Sequence, residues 1–515
     1  MSKTLLTEGM MMDKLIKISW ITSLVFLVAC TSQKDYTHAI PKDASMIIAL
    51  DSEQMVEKAG LVGSEGEKLT GKLKALLKGG LEGEAAQLAE RIIDKPSETG
   101  FSFKDKIYLF ASPHADFLAF LARVDEESKL ENLFEVLEKE SIATSLQEES
   151  GCRWAQIGSA ICAFNNGTFL LIQPSKGDAI HIKGTLFSLM RQKKDEGFSA
   201  LAEYEKLQEK GDDIVSFVNL SVIPYEYTTP LRMGLSADIR LEDINYLIKT
   251  NFEQGRVLIE CESLSQNSKV KGFYNVMDNI VQPIQGRLLD YYQGNTMIWT
   301  GGNIQGQELY QVLCKNPTIK QALDNPLLPI DVASIFSSIA GDFAIGNMGN
   351  KYLLYADVTQ SDFLNTFEEL RPWLALSGGQ IALDRIGKDE YLMRTYYDNF
   401  WFGVKNNRLY VTNNHIWADE IGRTYGASMG VKEWAKEVVN NRLFTSVNLK
   451  EWSKATSVFG GANRKNYDLF FKPLVNHCDY LNVSIPDFSQ VRMELVLREK
   501  NANLLQIIAN LVEGL

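Results

Sequence analysis

Apolar and polar positions along this chain follow two periods. SMIIALD (45–51) and DIVSFVNLS (213–221) are short apolar runs with polar exits, which predicts strands. In AFLARVDEESKLENLFEVL (119–137) a strand pattern runs into an acidic turn, after which Leu130, Leu133, Phe134 and Leu137 recur at the spacing of one helix face. The same order of elements then appears again. SMIIALD matches TMIWTGG (296–302), pairing Met46 with Met297, and 119–137 matches YLLYADVTQSDFLNTFEEL (352–370), placing Leu133 on Thr366 and giving the stripe Phe363, Phe367, Leu370. Two hairpins correspond, CAFNNGTFLLI (162–172) and FGVKNNRLYVT (402–412), with Asn166-Gly167 and Asn406-Asn407 at bends that need left-handed backbone. DIVSFVNLS matches RLFTSVNLK (442–450) through a shared Val-Asn-Leu, and INYLIKTNFEQGRVLIE (244–260) matches CDYLNVSIPDFSQVRME (478–494), pairing Tyr246 with Tyr480.

Five blocks in one order, at offsets between 229 and 251, predict a tandem duplication. Hairpins mixed with helices make each copy an α+β domain, a mixed and largely antiparallel sheet with packed helices. The first repeat is placed at 42–292 and the second at 293–515, meeting near Gln293-Gly294-Asn295. Each is expected to end in an apolar-striped helix: Phe273, Val276, Met277, Ile280, Val281, Ile284 and Leu288 in the first, kinked at Pro283, and Leu504, Ile507, Ile508 and Leu511 in the second.

Ahead of the repeats the pattern changes. ISWITSLVFLV (18–28) is an unbroken apolar-rich run preceded by Lys14 and Lys17, the layout of a secretory signal, and too short for the roughly 20 residues of a membrane-spanning helix. It ends in Leu27-Val28-Ala29-Cys30, which resembles a bacterial lipobox. The small Ala29 lets a peptidase approach the backbone, and the Cys30 sulfur is the nucleophile that accepts a diacylglycerol. Residues 1–29 are therefore expected to be a lipoprotein signal peptide and 30–41 a lipidated tether, with the membrane as partner through lipid on Cys30. Thr31 stands where an aspartate would mark inner-membrane retention, which favours the outer membrane. Gln33-Lys34-Asp35 resembles a surface-export signal, with Tyr36 where that signal has a second acid.

Loss of the leader removes three lysines and two acids, so the net charge of −12 becomes −13. An acidic chain lacks the clustered Lys and Arg that nucleic acid requires. With about 485 residues left, more than one core is expected.

The opening of the mature chain, YTHAIPKDASMIIALDSEQMVEKAG (36–60), resembles that of a Bacteroidota lipoprotein family catalogued only as domain of unknown function 4836. The resemblance extends over the mature chain. It implies an envelope lipoprotein and brings no catalytic motif.

Other motifs are weighed on their own chemistry. Gly426-Ala427-Ser428-Met429-Gly430 fits G-x-S-x-G, and Asp468 and His477 follow in hydrolase order. The polar HIWADEIGRTY upstream is not the strand such a serine needs, so Ser428, and Ser199 at the matching offset, read better as helix N-caps. Gly66–Leu73 lacks the hydroxyl a P-loop requires, and His38, His114, His181, His415 and His477 are scattered, so no catalytic, cofactor or metal residues are assigned. Tyr396-Tyr397-Asp398-Asn399-Phe400-Trp401-Phe402 could form an aromatic platform for sugars. Alignment of Trp401 and Phe402 with Ile161 and Cys162 argues instead for core packing. The expected role is a non-enzymatic binding or structural one, with a protein or glycan partner, against the alternatives of an envelope hydrolase or a surface glycan-binding lipoprotein.

Five further cysteines, Cys152, Cys162, Cys261, Cys314 and Cys478, are expected to be free. Alignment places Cys152 on Leu392, Cys162 on Phe402, Cys261 on Leu495 and Cys478 on Ile244, all large apolar positions. If Gly158-Ser159 is a tight turn, residue 162 faces 155, which leaves Cys152 roughly 10 Å along the strand from Cys162, beyond disulfide reach.

Overall fold

The computed structural model describes residues 35–61, 71, 74, 83–112, 116–177, 179–223, 239–324, 330–375, 380–455 and 472–513. The leader and Cys30 lie outside them, as do Asp468, His114 and most of the Gly66–Leu73 segment. No helix among the described residues is long and apolar enough to cross a membrane. Two compact units emerge. One takes the chain up to Val222 together with Asn245–Gln254 and Asn501–Leu515, and the other takes Ile223–Ile244 and Gly255–Lys500.

The first unit carries β1 (Met46–Leu50), β2 (Ile107–Ala111), β3 (Phe117–Arg123), β4 (Gln147–Glu149), β5 (Cys152–Ile157), β6 (Ala160–Asn165), β7 (Thr168–Pro174), β8 (Ile214–Asn219) and β9 (Asn245–Glu253). Neighbours run β9-β8-β1-β2-β3-β7-β6-β5-β4, every pair antiparallel. β1 and β8 alternate buried and half-buried positions, as their sequence pattern requires, whereas β6 is buried almost throughout. Helix α1 (Ser52–Lys58) follows β1 and is capped by Asp51, whose side chain accepts from the backbone N–H of Gln54. Helix α2 (Glu127–Lys139) lays Leu130, Phe134 and Leu137 onto Cys162, Phe164 and Phe169. The C-terminal helix Leu504–Glu513 packs on α1 and β9, and Asn503 Nδ2 donates to the Phe252 carbonyl at 2.8 Å.

The second unit carries β10 (Arg256–Ser263), β11 (Val281–Gln282), β12 (Ile298–Gln305), β13 (Ile339–Met348), β14 (Lys351–Val358), β15 (Ile381–Gly387), β16 (Glu390–Thr395), β17 (Asn399–Lys405), β18 (Arg408–Thr412), β19 (Leu443–Asn448), β20 (Cys478–Ile485) and β21 (Gln490–Leu497). Here the order is β10-β21-β20-β19-β12-β13-β14-β18-β17-β16-β15, again antiparallel, with β11 against the end of β12. Helix α3 (Ser268–Ile280), capped by Asn267, packs on α4 (Gly306–Leu313). One core is aromatic, built from Tyr292, Trp299, Tyr355, Tyr410, Trp434 and Phe444. A second, beneath α5 (Asn365–Ala375), holds Phe363, Leu364, Tyr391 and Phe402.

The molecule is α+β with antiparallel sheets, as the pattern predicts. From β9 to β4 and from β20 to β15 the two strand orders are the same, position for position. Ladder registers refine the sequence matches. Val218 lies opposite Met46 and Val447 opposite Ile298, so Met297 corresponds to Ser45 and not to Met46. Arg123 faces Thr168 and Asp357 faces Arg408, which shifts the strand match carrying Leu133 on Thr366 by one residue. Val218 faces Tyr246 while Val447 faces Leu481, so Tyr246 corresponds to Leu481, the slip being taken up by a bulge between Cys478 and Tyr480. A one-residue slip exchanges the two faces of a strand, which sequence similarity alone does not register.

Three local expectations are corrected. The helix expected to run through Pro283 ends at Ile280, and Val281–Gln282 is extended as β11, because the residue before a proline is pushed out of helical backbone. Its buried side chains are Val270, Tyr274 and Ile280, while Val276 is exposed. Beyond it Ile284, Leu288, Leu289 and Tyr292 join the aromatic core of the second unit. Ser199 is not an N-cap: it lies inside the turn Phe198–Ala200, whose cap is Gly197, and its hydroxyl donates to the Lys194 carbonyl. Cys152 does not correspond to Leu392. With Cys162 on Phe402, the registers Trp154–Ala163 and Glu390–Gly403 carry Cys152 to Lys388, since the β16–β17 connection is longer than Gly158-Ser159. Ala155 does face Cys162, and all five described cysteines are free, with Cys152, Cys162 and Cys478 buried and Cys261 and Cys314 half-buried.

Candidate functional site: an aromatic turn beside an amide-lined cavity

Among the described residues the most exposed large aromatic side chains sit where β16 turns into β17. Tyr396 is 84% and Tyr397 92% exposed, and their rings stand edge to face with centroids 5.0 Å apart. The backbone that presents them is tied down. The Thr395 hydroxyl donates to the Asp398 carbonyl at 2.8 Å and accepts from the N–H groups of Tyr397 and Asp398 at 3.3 and 3.1 Å. Asp398 Oδ1 accepts from the Asn399 N–H at 2.9 Å, and Oδ2 accepts from Asn413 Nδ2 at 2.7 Å. The Asn413 hydrogen bond is the main reason the Asp398 carboxyl is held below the usual carboxylate range.

Asn413 is the joint between two turns. It is buried, donates also to the Asn350 carbonyl at 2.9 Å, and accepts from the Tyr352 N–H at 3.0 Å. It thereby locks the β16–β17 turn to the β13–β14 turn, where Asn347 faces Tyr352 and Gly349 supplies the left-handed residue at φ 63°. A cavity of about 270 Å³ opens there, lined by Thr300, Ile345, Asn347, Asn350, Lys351 and Tyr352. Cross-strand register puts Ile345, Asn347 and Tyr352 on one face of the sheet. The Phe400 ring lies 6.4 Å from that of Tyr352, continuing the aromatic surface toward the turn. Lys351 Nζ is 3.8 Å from Asp398 Oδ1, so the lysine of the lining has an acid beside it. The site therefore offers aromatic faces, amides and a hydroxyl, with its local charge balanced.

The aromatic stretch seen in the sequence thus divides. Phe402 is buried against Tyr391 and Phe367 and Trp401 is half-buried on the aromatic core, as packing requires, while Tyr396 and Tyr397 face solvent. Sequence comparison signals this only through length: the matching β5–β6 turn is the two residues Gly158-Ser159. Asn347, Asn350 and Asn413 carried no signal, because strand pairing alone gathers them.

The other candidates are not brought together. Ser428 is buried, donates to Asp290 Oδ1 at 2.7 Å and accepts from the Gly430 N–H at 3.2 Å, capping the turn Met429–Val431 as expected. His477 lies 3.8 Å from Glu499, and Ser428 has neither as partner. His38 sits between the carbonyls of Asp35 and Met190, and His415 lies beside Trp401. Among the described residues no three His, Cys, Asp or Glu side chains group as metal ligands. A wider polar cleft of about 630 Å³ in the first unit includes Asp35, His38, Glu127 and Asn165, but Asp35 is already engaged by Thr37 and Lys194.

Fold and surface together define an α+β protein of antiparallel sheets that carries an exposed aromatic turn. The chain belongs to the family described as Domain of unknown function (DUF4836), whose model matches residues 36–505. Among solved structures it is similar to crystal forms IV, III and I of TP0453, at 9%, 9% and 8% identity and TM-scores of 0.27, 0.28 and 0.27. Those matches cover 45%, 49% and 48% of this chain and 81%, 90% and 86% of the others. No curated protein matches.

Proposed function

We propose that this is a lipid-anchored protein of a bacterial cell envelope, held in the outer membrane through Cys30, whose role is binding or support and not catalysis. One observation carries the reading. The basic, apolar, small-residue run ending at Cys30 stops six positions before the family match begins, so the sulfur that would take the lipid lies a short tether from the folded domain. The turn chemistry at Ser428 supports a structural role for the one hydrolase-like motif. Lipid on Cys30 supplies the anchor, and the acidic mature chain disfavours nucleic acid as a partner.

The same reading takes the mature chain as a tandem duplication within a Bacteroidota lipoprotein family. Matching strand orders in the two units support it, as do the equivalent short turns Thr37–Ala39 and Leu289–Tyr291. β10 and β21, which hold matching places in the two copies, pair antiparallel with Ile259 opposite Met493, the self-complementary arrangement that two like strands make.

The anchor is tested by Cys30→Ala and fractionation. Wild-type protein is expected in the outer-membrane fraction and the variant in the soluble envelope fraction; membrane partitioning unchanged by the substitution refutes the anchor. Protease shaving of whole cells then reads which leaflet carries the protein.

A further inference from the structure

We infer that the second unit binds a neutral glycan, with sugar rings stacked on Tyr396 and Tyr397 and hydroxyl groups bonded in the cavity of Asn347, Asn350 and Thr300. The inference names a ligand class for the binding role proposed above and depends on that role, not on the lipid at Cys30.

Three observations converge. The tyrosines are presented and not merely exposed: the Thr395 and Asp398 hydrogen bonds fix the backbone of the turn, so little loop entropy is lost when a ligand settles on it. Two nearly perpendicular rings 5.0 Å apart, with an interplanar angle of 85°, offer apolar faces to the C–H surface of a pyranose. The Phe400 and Tyr352 rings continue toward a cavity whose polar lining is an amide pair and a threonine hydroxyl. Amides donate and accept at once, which is what vicinal hydroxyls need.

Charge selects among ligands. Among the described residues that line the cavity Lys351 is the one basic or acidic side chain, and Asp398 stands 3.8 Å away from it. A balanced site gives no electrostatic gain to a phosphate headgroup or a polyanion. An apolar protein hot spot requires a centre shut away from water, whereas Tyr397 is 92% exposed. A sugar ring stacked on one face, its outer hydroxyls still hydrated, suits that exposure. The matching turn of the first unit, Gly158-Ser159, has no ring to offer, so the same site is not built at that turn.

The test is affinity electrophoresis of the purified full mature chain in native gels containing dextran, laminarin, xylan or mannan, with heparin gels and phosphatidylethanolamine–phosphatidylglycerol vesicles as competing probes. At least one neutral polysaccharide is expected to retard the protein. Y396A/Y397A should weaken that binding by about tenfold or more, N347A should weaken it less, and Y396W/Y397W should keep it. Circular dichroism of the variants guards against misfolding, which solvent-facing tyrosines are not expected to cause. Retardation by none of the four neutral polymers overturns the inference, as does equal binding by Y396A/Y397A, or Tyr-dependent binding to vesicles or heparin alone. Failure here leaves the Cys30→Ala fractionation result untouched, so the two readings fall separately.

Discussion

Cys162 lies beneath α2, against Phe134 and Phe164, and its thiol donates to the Ala155 carbonyl at 3.4 Å. Burial pushes its pKa up to about 12. A thiol raised in this way is protonated in the fold where the unfolded chain would ionise, so its stabilising contribution is complete below the unfolded value and is lost as pH rises toward 12. Because the thiolate is the reactive form, iodoacetamide at pH 8 is expected to leave Cys162 unlabelled in native protein and to label it in denaturant, read by peptide mass spectrometry. Rapid native labelling would show that α2 does not cover it. Asp398 has the opposite sign: its depressed carboxyl supports the turn above the unfolded pKa and releases that support as pH falls through the folded value. The free, apolar character of Cys162 was legible in the sequence, where alignment sets it against the apolar Phe402. The role of Ser428 was legible too, but its counterpart was not. Backbone bonds from Phe198 to Ile40 and from Met429 to Tyr292 equate Ser428 with Gly197, two positions from the serine that sequence spacing had chosen.

At the scale of elements, the two units differ in one buried cross-strand row. The first has Ile47, Phe217 and Leu247 side by side, all buried. The same positions in the second hold Trp299, Ser446 and Asn482, equally buried. Among the described residues Trp299 Nε1, Ser446 Oγ and both polar atoms of Asn482 have no hydrogen-bond partner, nor has Nε1 of the neighbouring Trp434. Burying such groups unpaired costs about 1–3 kcal/mol each. Asn482→Leu, which restores the apolar residue of the first sheet, is therefore expected to raise stability by roughly 1–2 kcal/mol, seen as a higher urea midpoint with unchanged slope. A lower midpoint would show that Asn482 is satisfied in solution. The strands themselves were readable from alternation; this row was not, because no local pattern states which residue of one strand faces which of another.

On the scale of the whole molecule, the compact units are not successive lengths of chain. The C-terminal helix, at the far end of the sequence, packs on α1 and β9 of the first unit, and α3, which follows β10, the strand paired with β21, packs on α4 of the second. The end of the chain thus completes the unit that its beginning starts. Removing residues 504–515 is expected to speed amide exchange in α1, β1 and β9 while β12 and β19 keep their protection, read by hydrogen-exchange mass spectrometry. Protection lost equally from all these strands, or from none, contradicts the placement of the C-terminal helix in the first unit.

What the sequence by itself determined is local: which segments alternate as strands, which stripe as helices, where Asn-Gly and Asn-Asn bends reverse the chain, and that the same order of elements comes twice. These depend on neighbours a few residues apart, and backbone geometry reads them directly. What only the tertiary structure decided is which strand lies beside which, in which register, and which helix covers which sheet. Those depend on burying apolar faces against partners far away in sequence, as when the C-terminal helix finds α1 and β9, or when Asn413 joins two turns into one surface. No run of residues encodes that choice, because the free energy that makes it comes from excluding water between elements and not from within any one of them.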